Sequence, residues 1–225
     1  MKTRALLLAS VLMGAMTGCG TTTTETITAP QIEQYRIMRI AVLPFMVSPS
    51  TPGARRGYAA PAPPAVSGDK LADLFFLKLN VREGLAVVPP YMVRETMPAI
   101  TASVASRSLL RDLGERLDVA AVLEGTVETY KERKGSALGL ERAEDAAAVG
   151  FSVRLISVKD GKPLWTGEYY ERQRPLTEDL SGFLERGVRF LTVEQLANSA
   201  VDKVLREFPL GRQIQRMQGE TSPSP

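Results

Sequence analysis

Three strand-like segments follow one another in the second half of the sequence, at residues 118–130, 149–158 and 163–172. The first segment is apolar where it begins and alternates later, which is typical of a strand that leaves a hydrophobic core. In the second segment Phe151, Val153 and Leu155 alternate with polar residues. An Asp-Gly pair, Asp160 and Gly161, precedes the third segment and is typical of a tight hairpin turn. The sequence therefore predicts three strands in a row, with a hairpin joining the last two.

Further strands and helices surround these three segments. Residues 38–45 form a nearly continuous apolar run, as in a strand that is buried on both faces of a sheet, and residues 85–88 form a short strand. Apolar residues recur at helical spacing in four segments, which are residues 69–82, 91–97, 108–117 and 192–208. Thr192 and Gln195 have the spacing of a capping box. This order predicts an α/β fold, in which a mixed five-stranded sheet is packed with helices in a single compact domain.

The composition excludes the commonest kinds of catalytic site. The chain has no histidine and one cysteine, Cys19, among its 225 residues. Histidine is the usual general base near neutral pH and the commonest zinc ligand. A single cysteine forms neither an internal disulfide nor a multi-cysteine metal site. We therefore expect a protein that is not an enzyme and that has no catalytic, cofactor-binding or metal-binding residues.

The N-terminal residues have the layout of a secretory signal. Lys2 and Arg4 precede an apolar run at residues 5–16, which is shorter than the ~20 residues of a membrane helix. The run ends in Met16-Thr17-Gly18-Cys19. This motif resembles the bacterial lipobox, in which the cysteine receives a diacylglycerol and becomes the first residue of the mature protein. The resemblance implies that residues 1–18 are a lipoprotein signal peptide and that lipid on Cys19 attaches the protein to the membrane.

The residue after the cysteine and the mature net charge indicate where such a protein acts. Bacterial lipoproteins that stay in the inner membrane usually have Asp at the position of Gly20, so the resemblance implies the periplasmic face of the outer membrane. Without residues 1–18 the chain has 26 basic and 25 acidic residues, and its net charge falls from +3 to +1. A chain with this balance has no basic stripe, and we expect no nucleic-acid partner.

Three segments lack the periodicity of helices or strands. Residues 19–37 are polar and rich in threonine, and we predict a flexible tether. Residues 46–67 contain five prolines, which predict an insertion without regular structure. Residues 209–225 follow the last helix and are predicted to form a disordered tail. The folded domain is therefore expected at residues 38–208.

Four motifs, in their order along the chain, resemble those of a broad superfamily of bacterial envelope proteins. The motifs are IAVLPF at residues 40–45, GDKLAD at 68–73, LDVAAVLEGTV at 117–127 and DGKPLW at 160–165. The superfamily includes the curli-secretion channel lipoprotein (CsgG-like), lipoprotein activators of penicillin-binding proteins, the amino-terminal domain of TolB, and small outer-membrane lipoproteins of unknown role. The resemblance implies a compact α/β domain that binds another envelope protein or a second copy of itself.

The channel members of this superfamily insert hairpins that cross the membrane, and each strand of such a hairpin needs about ten residues of alternating polarity. The two long insertions here, residues 46–67 and 131–148, are rich in proline or in charges and glycine. We therefore expect a non-enzymatic binding and assembly module of the cell envelope. A subunit of an outer-membrane secretion channel is the alternative, and an envelope hydrolase is a more distant one.

Two sets of residues would serve a hydrolase. Ser67 and Lys70 match the start of a serine acylase motif, in which the lysine takes the proton of the serine, but the same residues also suit a plain helix start. Glu141, Glu144 and Asp145 provide paired carboxylates of the kind that hydrolyse glycosides, but a solvated surface face is the expected role of these residues. The companion motifs of the acylases are absent from the sequence.

Aromatic residues concentrate on the last predicted strand. Alternation places Trp165 and Tyr169 on one side of it and Tyr170 on the other. Such residues either form the core or stack against a ligand, and the core is the expected role. The predicted core comprises Val42, Leu74, Phe75, Leu113, Val122, Phe151, Val153, Trp165, Leu196 and Val204.

Overall fold

The computed structural model describes residues 22–48, 62–96, 107–134, 146–173 and 191–213. These residues form strands, α-helices and one 3-10 turn at Ile32–Tyr35. In chain order the strands and helices are β1 (Thr22–Thr28), β2 (Arg39–Val42), β3 (Met46–Val47), α1 (Val66–Leu79), β4 (Ala86–Val88), α2 (Pro90–Thr96), α3 (Arg107–Leu117), β5 (Ala121–Lys131), β6 (Ala148–Ser157), β7 (Pro163–Arg172) and α4 (Val193–Leu205).

All seven strands belong to one sheet, in the order β1-β7-β6-β5-β2-β4, with β3 beside the second half of β5. The neighbours β1, β7, β6 and β5 are antiparallel, whereas β2 and β3 run parallel to β5 and β4 runs parallel to β2. The predicted α/β fold with a mixed sheet in a single compact domain is confirmed. The predicted number of five strands is too small, because β1 and β3 also join the sheet.

Proline divides the strand that the sequence predicts at residues 38–45. β2 pairs with β5 up to Val42, and β3 resumes the pairing at Met46. Pro44 lies between them and has no N–H to donate to a sheet, so the pairing is interrupted there. The ring of Phe45 fills the space above Gly125, where an added Cβ would lie 2.5 Å from the ring. The Pro-rich insertion predicted at residues 46–67 has regular structure at both ends, because β3 lies at its start and α1 begins at Val66. Residues 49–61 lie outside the described residues.

One face of the sheet is covered by α1 and α4 and forms what we call the first core. Aromatic rings run through it: Phe75 lies 5.4 Å from Phe45 and 5.6 Å from Phe151, and Phe151 lies 5.7 Å from Tyr169, between ring centroids. All four of these rings are buried. Aromatic pairs at these separations are favourable beyond the area that they bury, so this face holds a large share of the packing energy.

The opposite face has a smaller second core beneath α2 and α3. Its buried members are Ala41, Leu43, Val88, Val93, Leu110, Leu113, Leu117, Val119, Val122 and Ile156. Of the ten core residues that the sequence predicts, nine are buried, and Leu74 is partly buried against the first core. The prediction of the core from periodicity is thus confirmed for both faces.

Local signals at the last helix and the last hairpin are also confirmed. At the start of α4 the Gln195 N–H donates to Thr192 Oγ1 (3.2 Å) and the Thr192 N–H donates to Gln195 Oε1 (3.1 Å). Gly161 has φ +70° in the turn between β6 and β7. This left-handed conformation favours glycine, which explains why the Asp-Gly pair marks the turn.

The residues that follow α4 are bound to the rest of the fold over a longer stretch of chain than the sequence predicts. Glu83 and Arg212 exchange two backbone hydrogen bonds of 3.0 and 2.9 Å. The buried guanidinium of Arg82 donates to the carbonyl oxygens of Phe208 (3.1 Å) and Leu210 (3.0 Å). Residues 209–213 are therefore held in place, in contrast to the predicted disordered tail at 209–225, and residues 214–225 lie outside the described residues.

Candidate docking edge and polar face

Strand β1 is the edge of the sheet and replaces much of the flexible tether that the sequence predicts at residues 19–37. Each residue of β1 pairs with β7, from Thr22 opposite Glu171 to Thr28 opposite Trp165. The segment consists of threonines with one Glu and one Ile, and β-branched residues such as these favour extended backbone. Its polar composition is what a solvent-exposed edge needs, so the composition that resembles a linker also suits an edge strand.

The outer side of β1 presents unpaired backbone groups. The Ala29 N–H donates to the Leu164 carbonyl oxygen (2.8 Å), which fixes the direction of the backbone groups at that position. In an antiparallel pair these directions alternate from residue to residue. Applied along the register of β1 and β7, the alternation turns the N–H and C=O groups of Thr24 and Thr26 away from β7. Among the described residues no strand lies beyond β1, so these groups are available to another strand.

The position of β1 in the chain brings this edge close to the predicted anchor. Cys19, the predicted lipidation site, lies outside the described residues, as does the predicted signal peptide at residues 1–18. Only three peptide units separate Cys19 from Thr22, the first residue of β1. Such a link spans at most about 10 Å when it is fully extended.

The sheet face that bears the second core becomes polar toward β6 and β7. We call the side chains of Glu124, Glu128, Ser152, Arg154 and Glu168 the polar face. The Glu124 side chain is only 6% exposed and forms an ion pair with Arg154, which is 58% exposed. Burial raises the pKa of Glu128, and the negative charge of Glu168 raises it further. Three of these five side chains are acidic and one is basic, so this part of the face carries an excess of acidic groups.

The acylase pair suggested by the sequence does not form in the structure. The buried Ser67 hydroxyl donates to the Pro64 carbonyl oxygen (2.6 Å), while Lys70 Nζ forms an ion pair with Glu194 Oε1 (2.5 Å). The hydrogen bond to Glu194 raises the pKa of Lys70, whereas a lysine that takes a proton from serine needs a lowered pKa. Neither Ser67 nor Gly68 caps α1, because Ala65 occupies the N-cap position.

The other candidate residues have simple placements. Trp165 and Tyr169 are buried in the first core, which confirms the expected core role for these two residues, whereas Tyr170 is half-buried. The carboxylates of Glu141, Glu144 and Asp145 lie outside the described residues. Among the residues that are described, no group of three His, Cys, Asp or Glu side chains is arranged to hold a metal ion. None of the helices described has both the length and the apolarity that a membrane span requires.

Comparison with known proteins links this fold to solved structures. No protein-family model matches the chain, and no curated protein sequence matches it either. The PelC dodecamer from Paraburkholderia phytofirmans matches with a TM-score of 0.50 and 17% identity, over 85% of this chain and 99% of that one. Lipoprotein GNA1162 from Neisseria meningitidis matches with a TM-score of 0.38 and 22% identity, over 75% and 98% of the two chains. The LpoB C-terminal domain from Salmonella enterica matches with a TM-score of 0.36 and 13% identity, over 65% and 86%. The chain thus shares the fold of PelC.

Proposed function

We propose that this chain is a non-enzymatic assembly module that lipid on Cys19 anchors to the periplasmic face of the outer membrane, and that it associates with copies of itself through β1. One observation carries the proposal: a strand with an unpaired outer edge begins three residues after the cysteine of the lipobox-like motif. An edge so close to the anchor is held at a fixed height above the membrane, where neighbouring anchored copies meet it repeatedly. Confinement of this kind raises the effective concentration of a partner.

The direction of the strands determines how two anchored copies can pair. Two copies in one membrane must both direct the Cys19 end of the sheet toward the lipid. Antiparallel pairing of β1 with β1 of a neighbour would direct these ends oppositely. β1 runs opposite to β4, since three antiparallel steps separate it from β5 and β4 is parallel to β2 and β5. Pairing of β1 with the β4 edge of a neighbour is therefore antiparallel and leaves both copies upright.

Head-to-tail contacts of this kind repeat from copy to copy and close into rings when the rotation permits. The solved PelC structure is a dodecamer, so a chain of this fold assembles into twelve copies in that case. We propose an assembly of more than two copies for the present chain. Binding of a different envelope protein at β1 is the competing interpretation and is one outcome of the test below.

The lipid anchor is tested by labelling with radioactive palmitate in cells that express the full chain. We expect the label on the wild-type protein and none on Cys19→Ser, because no second thiol exists to form the thioether. We also expect the variant to keep residues 1–18. A variant that still carries the label would contradict the assignment of Cys19.

The association is tested by measuring the mass of the lipidated full chain in detergent, for the wild type and two variants. Thr24→Pro removes an N–H that points away from β7, and proline is tolerated at such edge positions, so we expect smaller assemblies with an unchanged Tm. Thr24→Ala is the matched control because it keeps the N–H, and we expect wild-type mass. Wild-type mass for Thr24→Pro would refute pairing through β1. A wild-type chain that is monomeric but is crosslinked to one envelope protein through β1 would replace self-association with hetero-association.

A further inference from the structure

One end of the sheet carries a group of basic side chains, which we call the cationic end: Lys131, Arg133, Lys134 and Arg172. Strand pairing brings two of them together, because Ala148 of β6 lies between Lys131 of β5 and Arg172 of β7 and pairs with both. Arg133 and Lys134 follow β5 after one intervening residue, Glu132. The Arg133 Nη2 group donates to Gln173 Oε1 (2.8 Å), which joins the segment after β5 to the segment after β7.

This end of the sheet is the one nearest to Cys19. Thr22 pairs with Glu171, the neighbour of Arg172, so β1 starts at the same end at which β5 and β7 finish. A link of at most about 10 Å between Cys19 and Thr22 is only a few ångströms longer than the headgroup layer, which is about 5–8 Å deep on each side of a bilayer. If Cys19 is lipidated, as proposed above, the cationic end lies against the headgroups.

The two acidic side chains that the structure describes at the cationic end, Glu132 and Glu171, form hydrogen bonds within the protein. Glu171 accepts a hydrogen bond from Lys203 Nζ (2.9 Å) and one from the Tyr169 hydroxyl. Glu132 accepts from the Val193 N–H at the start of α4 (3.4 Å). Within the part of the chain that the structure describes, Lys131 and Lys134 form no ion pair. Among the residues that the structure describes at this end, Lys131 and the exposed Lys134 therefore carry positive charge that no ion pair balances and that can reach anionic groups outside the protein.

We propose that the cationic end docks on the headgroups of anionic phospholipids, so that the strands stand away from the membrane and the hairpin between β6 and β7 points into the periplasm. This proposal rests on the lipid anchor at Cys19. A basic residue near an anionic bilayer strengthens attachment about fivefold, so Lys131 and Lys134 together contribute about 30-fold to the docked state. Docking would hold β1 of every copy at the same height and in the same orientation.

The opposite end of the sheet provides an internal control. Lys159 and Lys162 are exposed at the hairpin between β6 and β7. They lie beyond the other end of β1, and a strand of seven residues is about 20 Å long. This separation is about two and a half times the Debye length at physiological ionic strength, so these two lysines gain little from the membrane charge.

The test uses the lipidated full chain in phosphatidylcholine vesicles with or without phosphatidylglycerol. The sulfur of Cys19 is bonded to the lipid as a thioether, so an added cysteine is the only free thiol. Thr23→Cys places a fluorophore on β1 near the cationic end, and Gln34→Cys places one near the far end; both positions are exposed. A nitroxide on the lipid headgroups quenches a fluorophore only at short range.

We expect Thr23→Cys to be quenched severalfold more than Gln34→Cys, with a further increase of roughly twofold when phosphatidylglycerol is present. The double variant Lys131→Gln, Lys134→Gln should lose this increase. The double variant Lys159→Gln, Lys162→Gln, with the same change of charge, should keep it. High salt should reduce the increase as it screens the charges.

The outcomes separate this proposal from the one on which it rests. Flotation of the vesicles in a density gradient shows whether the protein is anchored. If the protein floats with pure phosphatidylcholine vesicles but the two probes are quenched equally, the anchor is present and the docking proposal is wrong. The phosphatidylglycerol-dependent increase in quenching must be lost in the Lys131, Lys134 double variant and kept in the Lys159, Lys162 double variant. If both double variants lose it, or neither does, Lys131 and Lys134 do not have the proposed role. A protein that does not float with any vesicle overturns the anchor, and the docking with it.

Discussion

The two faces of the sheet use the same strands in different ways. On β6 the side chains of Phe151, Val153 and Leu155 are buried in the first core, while Ser152 and Arg154 between them belong to the polar face. α1 and α4 cover the first face, whereas the second core is confined to the region near β2, β4 and the start of β5. The larger core therefore lies on the first face, and on the other face the part toward β6 and β7 is not filled by packed apolar side chains.

The largest expected difference between the faces comes from removing core side chains. Phe75 is fully buried and its ring contacts those of Phe45 and Phe151, so we expect Phe75→Ala to lower the free energy of unfolding by about 3–5 kcal/mol. Leu113→Ala should cost about 2–3 kcal/mol, because it removes a smaller side chain and the second core is the smaller cluster. Leu77→Ala, on the exposed side of α1, is the control and should change stability by less than about 0.5 kcal/mol.

Urea unfolding of the three variants gives these values. Equal losses for Phe75→Ala and Leu113→Ala would mean that the two cores contribute equally. In that case the claim that the first face contributes more to stability than the second would be wrong.

Much of this division follows from the sequence, because it depends on periodicity. Alternation along residues 149–158 and helical spacing in α4 identify residues that face a core, and nine of the ten predicted core residues are buried. The capping box at Thr192 and the Asp-Gly turn are local signals that need no knowledge of the fold. These features are predictable because each is determined by residues close together in the chain.

The features that the sequence analysis missed depend on partners far along the chain. β1 is stabilised by pairing with β7, and nothing in residues 22–28 distinguishes such a strand from a polar linker except their β-branched side chains. Arg82 holds the end of the chain through carbonyl oxygens of Phe208 and Leu210, and the sequence gives no signal for that contact. The sequence alone therefore does not predict that β1 is an edge strand. The lipobox-like motif next to it is recognisable, because it is defined by four consecutive residues.

A smaller effect is expected from the ion pair between Glu124 and Arg154 on the polar face. The Glu124 carboxylate is nearly buried, so Arg154→Ala removes a charged partner from a group that water hardly reaches. We expect a loss of about 1–2 kcal/mol in the free energy of unfolding, less than for a fully buried pair because Arg154 is more than half exposed. Thermal unfolding of Arg154→Ala and of the double variant Glu124→Gln, Arg154→Ala checks this.

The double variant should recover part of the lost stability, since a neutral amide costs less to bury than a carboxylate. A double variant that is less stable than Arg154→Ala alone would show that Glu124 is stabilised mainly by groups other than Arg154. The polar face would then be held by contacts that do not depend on this pair.

The smallest expected effect comes from Glu128, and it has the opposite sign. Burial raises the pKa of Glu128 and the nearby Glu168 raises it further, so the folded state resists the charged form of Glu128. A carboxyl group with a raised pKa in the folded state destabilises the fold once the pH exceeds its ordinary pKa, and it has no such effect at lower pH. Glu128→Gln should therefore raise Tm at pH 7 by about 2 °C and leave it unchanged near pH 3. Glu25→Gln, at the exposed edge, removes the same charge and should change Tm little at either pH. If Glu128→Gln lowered Tm at pH 7, the carboxylate would be stabilising this face, and the contrast between a packed face and an electrostatically unfavourable one would not hold.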